Sequence, residues 1–265
     1  MAAVPMSLPE KIGILDWGIG GISVYRALRA TGSTIDVVYL SDSGNKPYGK
    51  HTLEELRRRL AEVAEFFVAH GVSRVLVACN SASSALARDS ESIGGVRFDS
   101  IVPAGVAVAR RAAGARVGVI GSDLTIGSKV YEQRLSVPGR KFVFTSAQPL
   151  SALVERGELS GDPVARVVGA VLERLGAIDS LLLACTHYPA LVPAIHQLRP
   201  GLELLDPAGA MVSGLPREGK GSLSFYTTGS GALSRTAARS GFGVELEVVH
   251  ELGIDLAECR KPSIL

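Results

Sequence analysis

Leu181-Leu182-Leu183-Ala184-Cys185-Thr186-His187-Tyr188 repeats, 106 residues on, the pattern of Val75-Leu76-Val77-Ala78-Cys79-Asn80-Ser81-Ala82. Each stretch is a short apolar run that stops at a cysteine and passes into small or hydrogen-bonding residues. Runs of this length read as strands. Others fall at 12–15, 36–40, 116–120 and 142–145. Between them, 52–70 reads as an amphipathic helix: Leu53, Leu56, Leu60, Val63 and Phe67 recur at spacings of three and four behind Thr52, a plausible N-cap. Residues 162–175 behave alike through Val164, Val167, Val168, Val171, Leu172 and Leu175. Strands alternating with helices predict an α/β chain with mostly parallel sheets.

Ile12-Gly13-Ile14-Leu15-Asp16 is echoed by Val117-Gly118-Val119-Ile120-Gly121, 105 residues later, almost the offset of the cysteines. Two segments repeated at nearly one offset predict two pseudo-symmetric, doubly wound α/β domains. Open α/β sheets bind ligands at the carboxyl ends of their strands, so the active site is expected in the cleft between the domains. Asp16, Asp42, Cys79, Thr125 and Cys185 all follow predicted strands. A lone cysteine behind a strand is usually a small buried apolar residue. Two in matching positions, each followed by polar side chains, point to chemistry.

The chain has 265 residues, enough for one large or two small domains. Apolar residues make up 46% and charged ones 20%, a globular composition. A net charge of +2 gives no argument for a nucleic-acid or membrane partner. No apolar run approaches the roughly 18 residues of a membrane span. The first ten residues carry no basic n-region, so no secretory signal is expected and the protein is expected in the cytoplasm. Three cysteines make no disulfide framework, and Cys259, among Glu258, Arg260 and Lys261, shares none of the context of the other two.

Several familiar motifs fail. In Asp16-Trp17-Gly18-Ile19-Gly20-Gly21 the third glycine of a dinucleotide loop would fall at Ser23. Cys185 and His187 lack the companion ligands of a zinc site. His51, His70, His196 and His250 read as solvated surface residues, and Ser81 and Ser83 lack the GxSxG frame of a hydrolase nucleophile. Paired thiols need no cofactor to move a proton on carbon: one removes it, and the other returns it from the opposite face. A thiol pKa near about 8.5 lets either protonation state be prepared. Asp16 and His187 are the adjacent groups able to take a thiol proton or steer a thiolate.

From Lys11 to at least Phe242 the chain resembles the cofactor-independent glutamate racemases of the aspartate/glutamate racemase superfamily. The family's Asp-Ser-Gly-x-Gly-Gly stands here as Asp16-Trp17-Gly18-Ile19-Gly20-Gly21. Asp42-Ser43-Gly44-Asn45-Lys46-Pro47-Tyr48-Gly49 and Cys185-Thr186-His187-Tyr188-Pro189 match in full, and Ala78-Cys79-Asn80-Ser81-Ala82 has serine for the family's threonine. Thr125, Ser128 and Tyr131 match a Thr-x-x-Ser-x-x-Tyr element, and Leu153-Val154-Glu155 the segment carrying a helper glutamate. Phe225-Tyr226-Thr227-Thr228-Gly229 resembles a late strand, with Ser230 in place of an aspartate.

The resemblance implies that Cys79 and Cys185 are the acid/base thiols, the first assisted by Asp16 and the second by Glu155 and His187. It implies that Asn80, Ser81, Thr125 and Thr186, with backbone at Tyr48 and Gly49, hold the amino acid, beside Asp16, Trp17, Pro47 and His187. It further implies no cofactor and no metal, a discontinuous first domain over 1–98 plus 206–265, a second over 99–205, a homodimer, and D-glutamate made for peptidoglycan. Trp17, the one tryptophan, replaces a serine that contacts substrate in the family. That change leaves two further readings open. One is a racemase, isomerase or decarboxylase acting on another small carboxylate; the other is a binding relative with a blocked cleft.

Overall fold

The computed structural model describes residues 11–256, so Cys259 and the first ten residues lie outside it. The chain first lays down β1 (Lys11–Asp16), β2 (Asp36–Ser41), β3 (Arg74–Val77), β4 (Ser90–Ile93) and β5 (Val96–Ser100). It then forms β6 (Arg116–Gly121), β7 (Lys141–Ser146), β8 (Ser180–Ala184) and β9 (Glu203–Leu205), and ends with β10 (Leu223–Thr227) and β11 (Val249–Glu251). One sheet runs β11-β10-β2-β1-β3-β5-β4 and the other β7-β6-β8-β9. All pairings are parallel except β4 with β5. The order β2-β1-β3-β5 recurs as β7-β6-β8-β9, the spatial form of the repeat in the sequence.

Alternate residues of the central strands enter different cores, which explains why these strands read as unbroken apolar runs. Ile12, Ile14, Val37 and Tyr39 join one cluster, while Leu15, Val38 and Leu40 join another with Leu56, Leu60, Val63 and Phe67. In the second sheet, Leu181 and Leu183 face the first cluster and Leu182 and Ala184 a third. The helix Leu53–Ala69 begins in a capping box, with Thr52 and Glu55 each bonded to the other's backbone N–H at 2.8–3.1 Å. Its predicted stripe is buried except for Leu53, which is exposed in the first turn. The helix Asp162–Leu175 coincides with its predicted span.

The hairpin of β4 and β5 had no expectation in the sequence. Gly94 and Gly95, at φ of 56° and 84°, make its two-residue turn. His70 departs from the solvated reading: it is half-buried, with ring centroids 4.2 Å from Phe66 and 4.6 Å from Tyr226. Among the described residues no helix is long and apolar enough to cross a membrane.

Candidate active site

Strand register decides which side chains meet. Leu15 pairs with Val77, so Asp16 and Cys79 leave adjacent strands at one sheet edge. Gly121 pairs with Ala184, so Ser122 and Cys185 leave adjacent strands of the other sheet in the same way. These edges face one another across a narrow cavity of about 30 Å³. Its wall includes the predicted Asp16, Trp17, Pro47, Tyr48, Gly49 and Cys79. Asn80, Ser81, Cys185, Thr186 and His187 complete the predicted part of the wall. Thr125 and Glu155 stand behind it. Thr125 Oγ1 accepts from Ser122 Oγ at 2.9 Å, and Glu155 lies beyond His187.

Asp16 is fully buried. Its Oδ2 accepts from Thr186 Oγ1 at 2.6 Å, across the cleft, and its Oδ1 from the Gly18 N–H at 3.2 Å. Burial raises its pKa despite the opposing charge of His187 and both hydrogen bonds. The Cys79 thiol is pushed well above its ordinary value, by burial first and by the Asp16 charge second; backbone N–H groups of Ala82 and Ser81 offset only part. Cys79 therefore holds its proton. On the other wall, Cys185 Sγ lies 3.7 Å from His187 Nδ1, and His187 Nε2 lies 2.5 Å from Glu155 Oε1. Burial alone would lower the histidine pKa; the bonds to Cys185 and Glu155 outweigh it and hold the imidazolium well above its usual range.

Hydroxyls bridge the remaining gap between the sheets. Ser81 Oγ and Ser122 Oγ are 2.7 Å apart, and Ser122 also caps the short helix Asp123–Gly127 through the Thr125 N–H. Trp17 is half-buried on the wall: its Nε1 donates to Asn45 O at 2.9 Å, and its ring lies 6.1 Å from that of His187. The indole is tied down as part of the lining, so the wall is complete around it. Tyr48 is fixed from behind by Asp42, which accepts its hydroxyl at 2.6 Å and pairs with Arg59 at 2.6 and 2.8 Å.

Sequence reasoning missed Ser122, Gln148, Ser151 and Ala184, which also line the cavity. Ser122 carried a faint signal, since it immediately follows Gly121, the residue that matches Asp16 in the repeat. Gln148 and Ser151 follow β7 as the Pro47 loop follows β2, but nothing in their composition marks them.

Two mostly parallel sheets bring one thiol each to a shared cavity, with a carboxylate beside one and an imidazolium–carboxylate pair beside the other, an arrangement chemically able to move protons on both faces of a carbon centre. The chain belongs to the Asp/Glu/hydantoin racemase family, whose model matches residues 12–215. It is 37% identical to glutamate racemase of Aquifex aeolicus over 82% of this chain and 88% of that protein. Glutamate racemase of a Synechococcus strain is 33% identical over 76% of each chain. The crystal structure of glutamate racemase from Thermus thermophilus in complex with β-chloro-D-alanine superposes with a TM-score of 0.80 at 30% identity, covering 94% of this chain and all of that one.

Proposed function

We propose that this chain is a cofactor-independent glutamate racemase, interconverting L- and D-glutamate through Cys79 and Cys185. The observation that carries the reading is the pair of thiols, delivered by matching strand ends of two sheets to one cavity. Glutamate as substrate is supported by relatives 31–37% identical that are glutamate racemases. Those same relatives do not favour a decarboxylase or a silent binding protein.

One thiolate takes the Cα proton of the bound enantiomer. The electron pair left on Cα delocalises into the α-carboxylate, and the thiol on the other face delivers its own proton with inversion. Cys79, kept protonated by burial and by Asp16, is the donor in the arrangement described, and Cys185 is the acceptor. His187, backed by Glu155, serves Cys185; Asp16 serves Cys79. Turnover of the opposite enantiomer reverses these roles. Asn80, Ser81 and Thr186, with Thr125 behind them, surround the amino acid. Trp17, Pro47, Tyr48 and Gly49 close the wall. A cavity of about 30 Å³ is far below the roughly 300 Å³ of a typical ligand pocket, so substrate entry parts the two sheets.

In this reading the chain divides into 1–98 plus 206–265 and 99–205; the strand membership of the two sheets supports the division except at its first boundary, which cuts β5 of the first sheet two residues before its end at Ser100. The family resemblance supports a cytoplasmic homodimer that supplies D-glutamate to peptidoglycan. Purified protein with reduced thiols, incubated separately with L- and D-glutamate, is expected to bring both solutions to zero ellipticity. Unchanged ellipticity from folded protein overturns the reading.

A further inference from the structure

Among the polar side chains of the cavity wall, Asn80 has a singular status. It is 3% exposed, its Oδ1 accepts from Tyr131 OH at 2.6 Å, and its Nδ2 has no hydrogen-bond partner in the protein. A buried amide N–H without an acceptor is costly unless a ligand supplies one. Which end of an amide faces a cavity is set by what holds the other end, and here that is a tyrosine from the opposite side of the cleft.

We infer that Tyr131 is a positioning residue: its hydroxyl locks the Asn80 amide so that Nδ2 faces the cavity, ready to donate to a carboxylate of the substrate. The inference rests on the racemase reading given above. The separation of 2.6 Å belongs to an O–H···O bond and is short for N–H···O. Turning the amide over would leave the buried phenol hydrogen without this acceptor and present an oxygen, not a donor, to an anionic substrate. Burial holds the phenol neutral, well above its ordinary pKa, so the donor persists across the working pH range. The backbone is shaped to deliver it. Lys129 takes a φ of 58°, a left-handed conformation uncommon for lysine, just before Tyr131, and a side chain at Gly105 would collide with the phenol oxygen. Because Asn80 begins the helix after β3 and Tyr131 follows the helix after β6, this donor is aimed only when the two sheets are together.

The test is a double-mutant cycle of Tyr131→Phe and Asn80→Ala, read as KM and kcat for both glutamate enantiomers. Tyr131→Phe keeps the ring and is expected to raise KM about fivefold or more, because only a fraction of the amide population then presents its donor. Asn80→Ala is expected to raise KM at least as far, and adding Tyr131→Phe to it is expected to change KM less than twofold. Multiplying effects, or an unchanged KM in either single variant, overturn the inference, since a merely structural tyrosine acts independently of the amide. If wild-type protein neither binds nor turns over glutamate, the substrate reading fails and the link is read on the protein itself. A slowly exchanging Tyr131 hydroxyl proton in the NMR spectrum that shifts in Asn80→Ala upholds Tyr131 as the orienting group; no such response overturns it.

Discussion

Glu155 Oε1 lies 2.5 Å from Nε2 of His187 and accepts the Ile19 N–H at 2.9 Å through the same oxygen. One carboxylate thus supports the imidazolium beside Cys185 and also ties the helix Pro149–Glu155 to the loop after β1.

Glu155→Gln keeps the shape and removes the charge, so turnover near neutral pH is expected to fall about tenfold or more. Stability changes with a definite pH signature. The folded protein binds the His187 proton more tightly than the unfolded chain, where histidine titrates near about 6.5. The stabilisation from this pair is therefore complete below that pH and disappears as pH rises through the higher folded value. Urea unfolding at pH 6 should separate wild type from Glu155→Gln by about 2 kcal/mol, and the gap should close at alkaline pH. A gap that widens with pH would contradict the assignment of the charge.

Gly18 is glycine because Glu155 needs the space: a Cβ there would collide with the carboxylate oxygen. Gly18→Ala should push Glu155 off His187 and lower turnover about as much as Glu155→Gln, while an unfolding midpoint close to wild type shows that the fold absorbed the methyl. Gly20→Ala should be more severe although its contacts are less close: its Cβ would stand 2.5 Å from Thr186 Oγ1 and 2.7 Å from His187 Nδ1, buried side chains that yield less readily than the far end of a glutamate.

Arg59 is buried against Asp42, which also accepts from Tyr48 and Thr228. Arg59→Ala leaves that carboxylate buried without its cation, and unfolding experiments should find a loss of about 3–5 kcal/mol. Replacing Asp42 and Arg59 together by apolar residues of similar volume should cost less than Arg59→Ala alone.

Trp17→Ser restores the family's residue but removes the indole and its bond to Asn45 O. For a half-buried tryptophan the expected cost is about 2–3 kcal/mol, below that of a fully buried one. The widened wall should raise turnover of the homologue one methylene longer than glutamate, relative to glutamate itself. Equal preference in both proteins would remove Trp17 from the determinants of substrate size.

The strand ends that carry the cysteines were legible because parallel strands covered on both faces leave unbroken apolar runs, and because the repeat aligned Cys79 with Cys185. The hairpin of β4 and β5 left no such trace: Ser90–Ile93 lies partly exposed at a sheet edge and lacks an apolar face. β9 and β11 are three residues each, too short to show a period. Ser122 stood one residue past the counterpart of Asp16 in the repeat, and serine alone carries no charge or reactivity to mark it. Gln148, Ser151 and the Tyr131–Asn80 bond depend on the two sheets facing one another, and His70 depends on Tyr226 reaching it from a distant strand. Tertiary placement decides these, and local pattern carries no record of it.

Two-thiol chemistry is tested most directly by following Cα of L-glutamate in D₂O by NMR and mass spectrometry, with wild type, Cys79→Ser and Cys185→Ser. In the wild type the first D-glutamate formed should carry deuterium at Cα while the remaining L-glutamate is still largely protiated, since a second group delivers the new hydrogen. Each single variant should racemise at least about 10³-fold more slowly. Protiated early product, or near-normal racemisation by either variant, would contradict proton transfer between Cys79 and Cys185.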